Sequence, residues 1–85
     1  MAYEAIFSDE ALSFLKKLDN KAGERILGKV DESLVEPERF FKRLVGREEF
    51  RLRVGDYRAI AKILKQEKKV FIILIGHRKN IYARE

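Results

Sequence analysis

At 85 residues, with a net charge of +5 and no cysteine, the chain has room for one small domain and cannot form disulfides, thiolate zinc sites or a cysteine nucleophile. No apolar run approaches the ~20 residues of a membrane helix. The N-terminal MAYEAIFSDE lacks the basic flank and apolar core of an export signal, so a cytoplasmic protein without a membrane partner is expected. The positive charge is concentrated in one half. Residues 1–45 hold 8 Lys/Arg and 9 Asp/Glu, a net of −1, whereas residues 46–85 hold 11 Lys/Arg and 5 Asp/Glu, a net of +6. That asymmetry points to a nucleic acid or an acidic protein as partner.

In chain order, residues 2–7 (AYEAIF) alternate as a short first strand, with Tyr3, Ala5 and Phe7 on one face. Ser8 suits a helix N-cap, and Asp9 and Glu10 follow in the first turn, where acids favour the helix dipole. Ala11, Leu12, Phe14, Leu15 and Leu18 form an apolar stripe that ends near Lys16 and Lys17. Asn20 is the expected cap of a second helix that buries Ile26, Leu27, Val30 and Leu34, with Pro37 at its end or at a kink. The two helices read as an antiparallel hairpin. After a connector, EPERFFKRLVG, the period changes from 3.6 to 2: Phe50, Leu52 and Val54 alternate with Arg51 and Arg53. Gly55-Asp56 is a two-residue hairpin signal compatible with a type II′ turn. Residues 57–64 form the next strand, residues 66–69 the next turn, and the apolar run VFIILIG a strand at the centre of the sheet. The expected fold is α+β, in the order β-α-α-β-β-β, with a helical hairpin on one face of the sheet.

A two-residue turn at Gly55-Asp56 fixes the register, with Val54 facing Tyr57, Arg53 facing Arg58 and Arg51 facing Ile60. Arg51, Arg53 and Arg58 then share the sheet face opposite Phe50, Leu52 and Val54. Like charges directly across strands repel. A guanidinium is a planar, permanently charged fork of donors that matches phosphate oxygens, so a bound phosphate would turn the repulsion into attraction. The plainer alternative is local neutralisation by Glu48, Glu49, Asp56 or Glu67. The ending GHRKNIY adds Arg78 as a fourth arginine, Tyr82 as a ring able to stack on a base, and His77, which ordinarily titrates near neutrality. On these residues alone, His77 and Tyr82 have structural readings as well as functional ones.

The order strand, helical hairpin, KRLVG, EFRLRVGDYRAIAKI and FIILIGHRKNIY resembles the RelE/ParE toxin superfamily over nearly the whole chain, with RLRVGDYR and IGHRKNIY as its most specific parts. A RelE-like toxin is an mRNA interferase that cuts messenger RNA in the ribosomal A site and is neutralised by a cognate antitoxin. The resemblance therefore implies an endoribonuclease with no metal or other cofactor, whose partners are the ribosome, mRNA and a RelB-like acidic antitoxin. It places the working residues at Arg51, Arg53, Arg58, Arg78 and Tyr82. The implied reaction is attack of a ribose 2′-hydroxyl on the adjacent phosphate, leaving a 2′,3′-cyclic phosphate and a 5′-hydroxyl. The type member carries lysines where Arg51 and Arg53 stand, and arginine cannot act as a base at neutral pH. That makes His77 a conditional acid–base group. The competing functions are a ParE-like inhibitor of DNA gyrase and a non-catalytic RNA- or partner-binding relative.

Overall fold

The computed structural model describes residues 2–81. Its elements are β1 (Glu4–Phe7), α1 (Asp9–Lys17), α2 (Asn20–Ser33), α3 (Pro37–Phe40), β2 (Lys42–Arg43), β3 (Phe50–Val54), β4 (Tyr57–Leu64) and β5 (Lys69–His77). The five strands form one sheet in the order β1-β5-β4-β3-β2. β1 runs parallel to β5, and the other pairs are antiparallel. The α+β class and the β3-β4-β5 meander agree with the sequence. The two-residue strand β2 is an addition. It arises because Phe41 is buried in the core and anchors the connector, so that Lys42 and Arg43 lie against Arg51 and Phe50.

Helix boundaries follow local capping chemistry. Ser8 is extended, and its Oγ accepts from the Ala11 N–H at 3.0 Å. The same hydroxyl donates to the Ile73 carbonyl at 2.6 Å, and the Ser8 N–H donates to the Ile72 carbonyl at 2.9 Å. One serine thus caps α1 and ties it to β5 at the point where the β4–β5 register shifts between Ile60 and Ala61. The second cap is Asp19, not Asn20: its carboxylate accepts from the Ala22 N–H at 2.8 Å, and Asn20 is the first helical residue. Pro37 does not end α2, which stops at Ser33; it opens the short α3. Proline is well suited to that position, where its missing N–H would have no intrahelical partner.

Both long helices cover one face of the sheet. Ala11, Ile26 and Val30 pack with Leu52, Val54, Ala59, Ala61, Val70, Ile72 and Ile75 in the principal core, flanked by Tyr3, Ala5, Phe7, Phe14, Leu15 and Leu18. Leu12 and Leu27 are exposed rather than buried, because each sits at the margin of its helix's apolar stripe. β5 lies inside the sheet between β1 and β4. Its continuous apolar run serves two cores, with Val70, Ile72 and Ile75 in the principal core and Leu74 in a smaller one on the opposite face. That second cluster comprises Ile60, Leu74 and Ile81, with Leu44 and Ile73 at its margin.

Candidate functional site

The hairpin register places Arg53 opposite Arg58, Val54 opposite Tyr57 and Arg51 opposite Ile60, as the turn chemistry predicts. Gly55 has φ +57°, whereas Asp56 does not enter the left-handed region, which fits the type II′ turn. Across the same face, β2 brings Lys42 opposite Arg51. Two like-charged cross-strand pairs therefore stand side by side, with Cβ atoms about 4.5–5.5 Å apart within each pair by ordinary sheet geometry. Lys42 was not foreseen as part of this face, because a two-residue strand leaves no periodic signature.

Arg58 is the inner member of the cluster. It is only 8% exposed. Its Nη1 donates to the carbonyls of Gly55 and Tyr57, both at 2.8 Å. Among the described residues it has no carboxylate partner, and no buried side-chain nitrogen lacks a hydrogen bond, so the donors that the turn does not use reach solvent. Arg58 pairs with Gly76 across β4 and β5, and a Cβ at Gly76 would lie 2.9 Å from Ile81 Cδ1. The chain after β5 thus packs Ile81 against the glycine that pairs with Arg58, in space that a side chain at position 76 would contest.

Arg78 comes to the other side of the same turn. Its backbone N–H donates to the Asp56 carbonyl at 2.8 Å, and its Nε lies 3.8 Å from Asp56 Oδ1, with both side chains more than half exposed. The Gly55-Asp56 turn consequently carries Arg58 on one carbonyl and Arg78 on the next. Of the other acids considered as local neutralisers, Glu49 pairs with Arg47 at 3.1 Å. Glu48 and Glu67 border a separate groove with Glu38, Arg43 and Lys65. Arg53 is exposed and has no hydrogen-bond or ion-pair partner among the described residues. Arg51 is half-buried within the face.

His77 is not brought to the arginines. Strand parity pairs it with Tyr57, and its ring stands edge-to-face on Tyr57 with centroids 5.9 Å apart, while Tyr57 meets Phe14 of α1 at 6.1 Å. It therefore sits on the helix side of the sheet, where its Nδ1 accepts from the Lys79 N–H at 3.2 Å. Tyr82 lies outside the described residues, directly after Ile81. Among the described residues, no group of three or more His, Asp or Glu is placed to hold a metal ion, and no helix is long and apolar enough to cross a membrane. What the face offers chemically is a fixed array of cationic donors around one turn.

Residues 5–82 match the family model of the ParE toxin of type II toxin–antitoxin systems, parDE. The chain belongs to this toxin family. Among solved structures, the chain is similar to the toxin in the RelBE2 toxin–antitoxin complex of Mycobacterium tuberculosis, with 26% identity and a TM-score of 0.82 over 92% of this chain and 100% of that one. The RelE–RelB complex of Pyrococcus horikoshii matches at 27% identity and a TM-score of 0.78, covering 92% and 97%. The intact RelBE complex of E. coli matches at 28% identity and a TM-score of 0.76, covering 89% and 96%. No curated protein matches the sequence. The fold is thus RelE-like, and the arginine face belongs to a toxin.

Proposed function

We propose that this toxin is a ribosome-dependent endoribonuclease that cleaves mRNA in the A site, with the Gly55-Asp56 turn as the grip on the scissile phosphate. The observation that carries the reading is Arg58, a nearly buried cation held by two carbonyls and given no acid among the described residues. Burying an uncompensated charge costs several kcal/mol in a protein interior, and a small domain has about 0.05–0.15 kcal/mol per residue of net stability to spare. A phosphate that completes the site removes that cost.

In this reading the ribose 2′-oxygen attacks the adjacent phosphorus, the bond from phosphorus to the 5′-oxygen breaks, and the products are a 2′,3′-cyclic phosphate and a 5′-hydroxyl. The proton lost by the 2′-hydroxyl is balanced by the one gained at the 5′-oxygen. Arg58 and Arg78 grip the phosphate from either side of one turn, while Arg51 and Lys42 stabilise the charge that accumulates on the pentacoordinate phosphorus and Arg53 contacts the RNA backbone beside it. Because the guanidiniums stay protonated and His77 faces the other side of the sheet, positioning and electrostatics supply the protein's share of the catalysis. Tyr82 is assigned to orienting the nucleotide. The ribosome supplies the in-line geometry, which places the protein in the cytoplasm.

The complexes with RelB support a RelB-like antitoxin for this chain too, and the net charge of +6 over residues 46–85 suits an acidic one. Mapping mRNA 3′ ends on programmed ribosomes tests the activity: cuts within A-site codons bearing cyclic phosphate are expected from the wild type and absent with Arg58→Ala combined with Arg78→Ala. A second reading, gyrase inhibition, is favoured by the parDE description of the family model. A supercoiling assay separates the two, because an interferase leaves gyrase active.

A further inference from the structure

A second basic site lies around the corner from the arginine face. β2 pairs with β3 only at Phe50 and Arg51, so Arg53, Val54 and Gly55 border the open edge of the sheet. α2 passes beside that edge. Between them is a cleft of about 440 Å³ lined by Arg25, Gly28, Lys29 and Glu32 from the helix and by Arg53, Val54 and Gly55 from the hairpin. Arg25 reaches over the turn, where its Nη2 would lie 2.7 Å from a Cβ at position 55. Glycine there permits both the left-handed turn and the close approach of the guanidinium.

The cleft holds three cations and one carboxylate, and the carboxylate is already engaged: Glu32 Oε1 pairs with Lys29 Nζ at 3.2 Å. Among the described residues, neither Arg25 nor Arg53 has a hydrogen-bond or ion-pair partner. A Cβ at Gly28 would meet nothing within 4 Å, so the helix wall of the cleft is open to close approach. Two guanidiniums from different elements, both unoccupied, converge on a space with small residues on each wall, and planar donor forks of this kind match phosphate oxygens. Arg53 belongs to both surfaces, being paired with Arg58 on one side and lining the cleft on the other.

We propose that this cleft is a second phosphate subsite, in which Arg25 and Arg53 hold a phosphodiester of the RNA strand flanking the one gripped at Arg58. The assignment rests on the reading of the chain as an RNA-cleaving toxin. It gives the strand a path from the sheet face around the hairpin edge onto α2. Two fixed points on one backbone restrict the angle at which the scissile phosphate is presented, which is what in-line attack requires.

The test uses the full-length toxin and a fluorescent 2′-O-methyl oligoribonucleotide, which it can bind but not cut. Gly28→Glu places a carboxylate in the cleft at a position with free space and replaces a helix-interior glycine, so the fold is expected to tolerate it. Gly23→Glu is the charge-matched control on the same helix, at a position that borders a different groove with Leu15 and Leu18. The proposal expects Gly28→Glu to weaken binding by about tenfold or more, Gly23→Glu to weaken it by less than about threefold, and Arg25→Gln to lower the slope of log affinity against log salt by about 0.7, the change for one phosphate contact on a single strand. Equal affinities for the two glutamate variants, or an unchanged salt slope for Arg25→Gln, overturn the subsite. If the same variants instead weaken only antitoxin binding, the cleft is an acidic-peptide site and the proposal is wrong. A wild type that binds the oligoribonucleotide and cuts mRNA on ribosomes, beside an unaffected Gly28→Glu, rejects the subsite alone. A wild type that does neither rejects the nuclease reading, and the subsite with it.

Discussion

The two faces of the sheet are built to different ends. The helix face buries ten side chains from α1, α2, β3, β4 and β5, together with Phe41, in one cluster. The opposite face buries Ile60, Leu74 and Ile81 and carries Lys42, Arg51, Arg53 and Arg58 toward its hairpin end. On the first face close packing holds the strands in register. On the second, the cross-strand pairs Lys42–Arg51 and Arg53–Arg58 work against the fold. The lesson is that the first face supports the second: a sheet already fixed by its helices can hold repelling guanidiniums in place, where isolated strands could not. Ile81, packed against Gly76, is where the two roles meet, since Gly76 is also the β5 partner of Arg58.

The sharpest way to break this comparison is Arg58→Met. Under the proposed mechanism it removes a donor that acts on the transition state, and ribosome-dependent cleavage should fall about 10²–10³-fold, the range seen when one such donor is deleted. Stability should change little by thermal denaturation, because relief from burying a cation with no acid partner offsets the loss of its hydrogen bonds to the Gly55 and Tyr57 carbonyls. A variant that melts well below wild type would show that Arg58 holds the hairpin together, and the division between faces would fail. Next in size are the two cores. Ile26→Ala, in the principal core, should cost about 2–5 kcal/mol by urea denaturation. Leu74→Ala, in the smaller cluster, should fall at the low end of that range and lower cleavage as well, by loosening the β4–β5 pairing that carries Arg58. Equal losses of stability with unchanged cleavage would mean that the second core serves only the fold.

These contrasts also show what the sequence could reveal. The arginine face was legible because two strands and a two-residue turn leave no freedom: once Gly55 opens the turn, parity and register assign every side chain from Phe50 to Ala61. The apolar run of β5, apolar on both faces, was legible as a strand inside the sheet, although the central position it suggests belongs to β4. Short-range ambiguity hid the rest. Asp19 and Asn20 are both good caps, and only the carboxylate's bond to the Ala22 N–H decides between them. Pro37 signals a helix boundary without saying which side of it the helix lies on. His77 is the last residue of β5 and Arg78 the first of the turn after it, so the two neighbours reach different surroundings. Arg25 could not be placed, because a helix's polar face says nothing about which strand edge it passes.

Gly76→Ala probes the contact between the faces more gently. The new methyl group would meet Ile81 Cδ1 at 2.9 Å, so the isoleucine must shift outward, at a cost of about 1–3 kcal/mol for overpacking. Displacing it should disturb the end of β5 that pairs with Arg58 and reduce cleavage more than stability alone explains. Combining Gly76→Ala with Ile81→Val, which removes the clashing Cδ1 atom, should recover part of both losses. Without that recovery, the contact between residues 76 and 81 is incidental to the site.

The smallest effect lies at the opposite end of β4, where a lysine and not an arginine is paired with an acid. Lys65 Nζ donates to Glu38 Oε2 at 2.8 Å. That hydrogen bond, followed by the charge of Glu38, raises the lysine above its usual 10.5. A cation whose pKa is higher in the folded state contributes its stabilisation in full below the unfolded value and loses it as pH rises through the folded one. The difference in melting temperature between wild type and Lys65→Ala should therefore be small and constant from neutral pH to about 10, then vanish in more alkaline solution. Arg78→Ala, near Asp56 at the hairpin end, should show no such alkaline window, because arginine keeps its proton there. If both variants converge with wild type above pH 10, the loss reflects general unfolding in base, and the contrast between the two ion pairs would have no energetic signature.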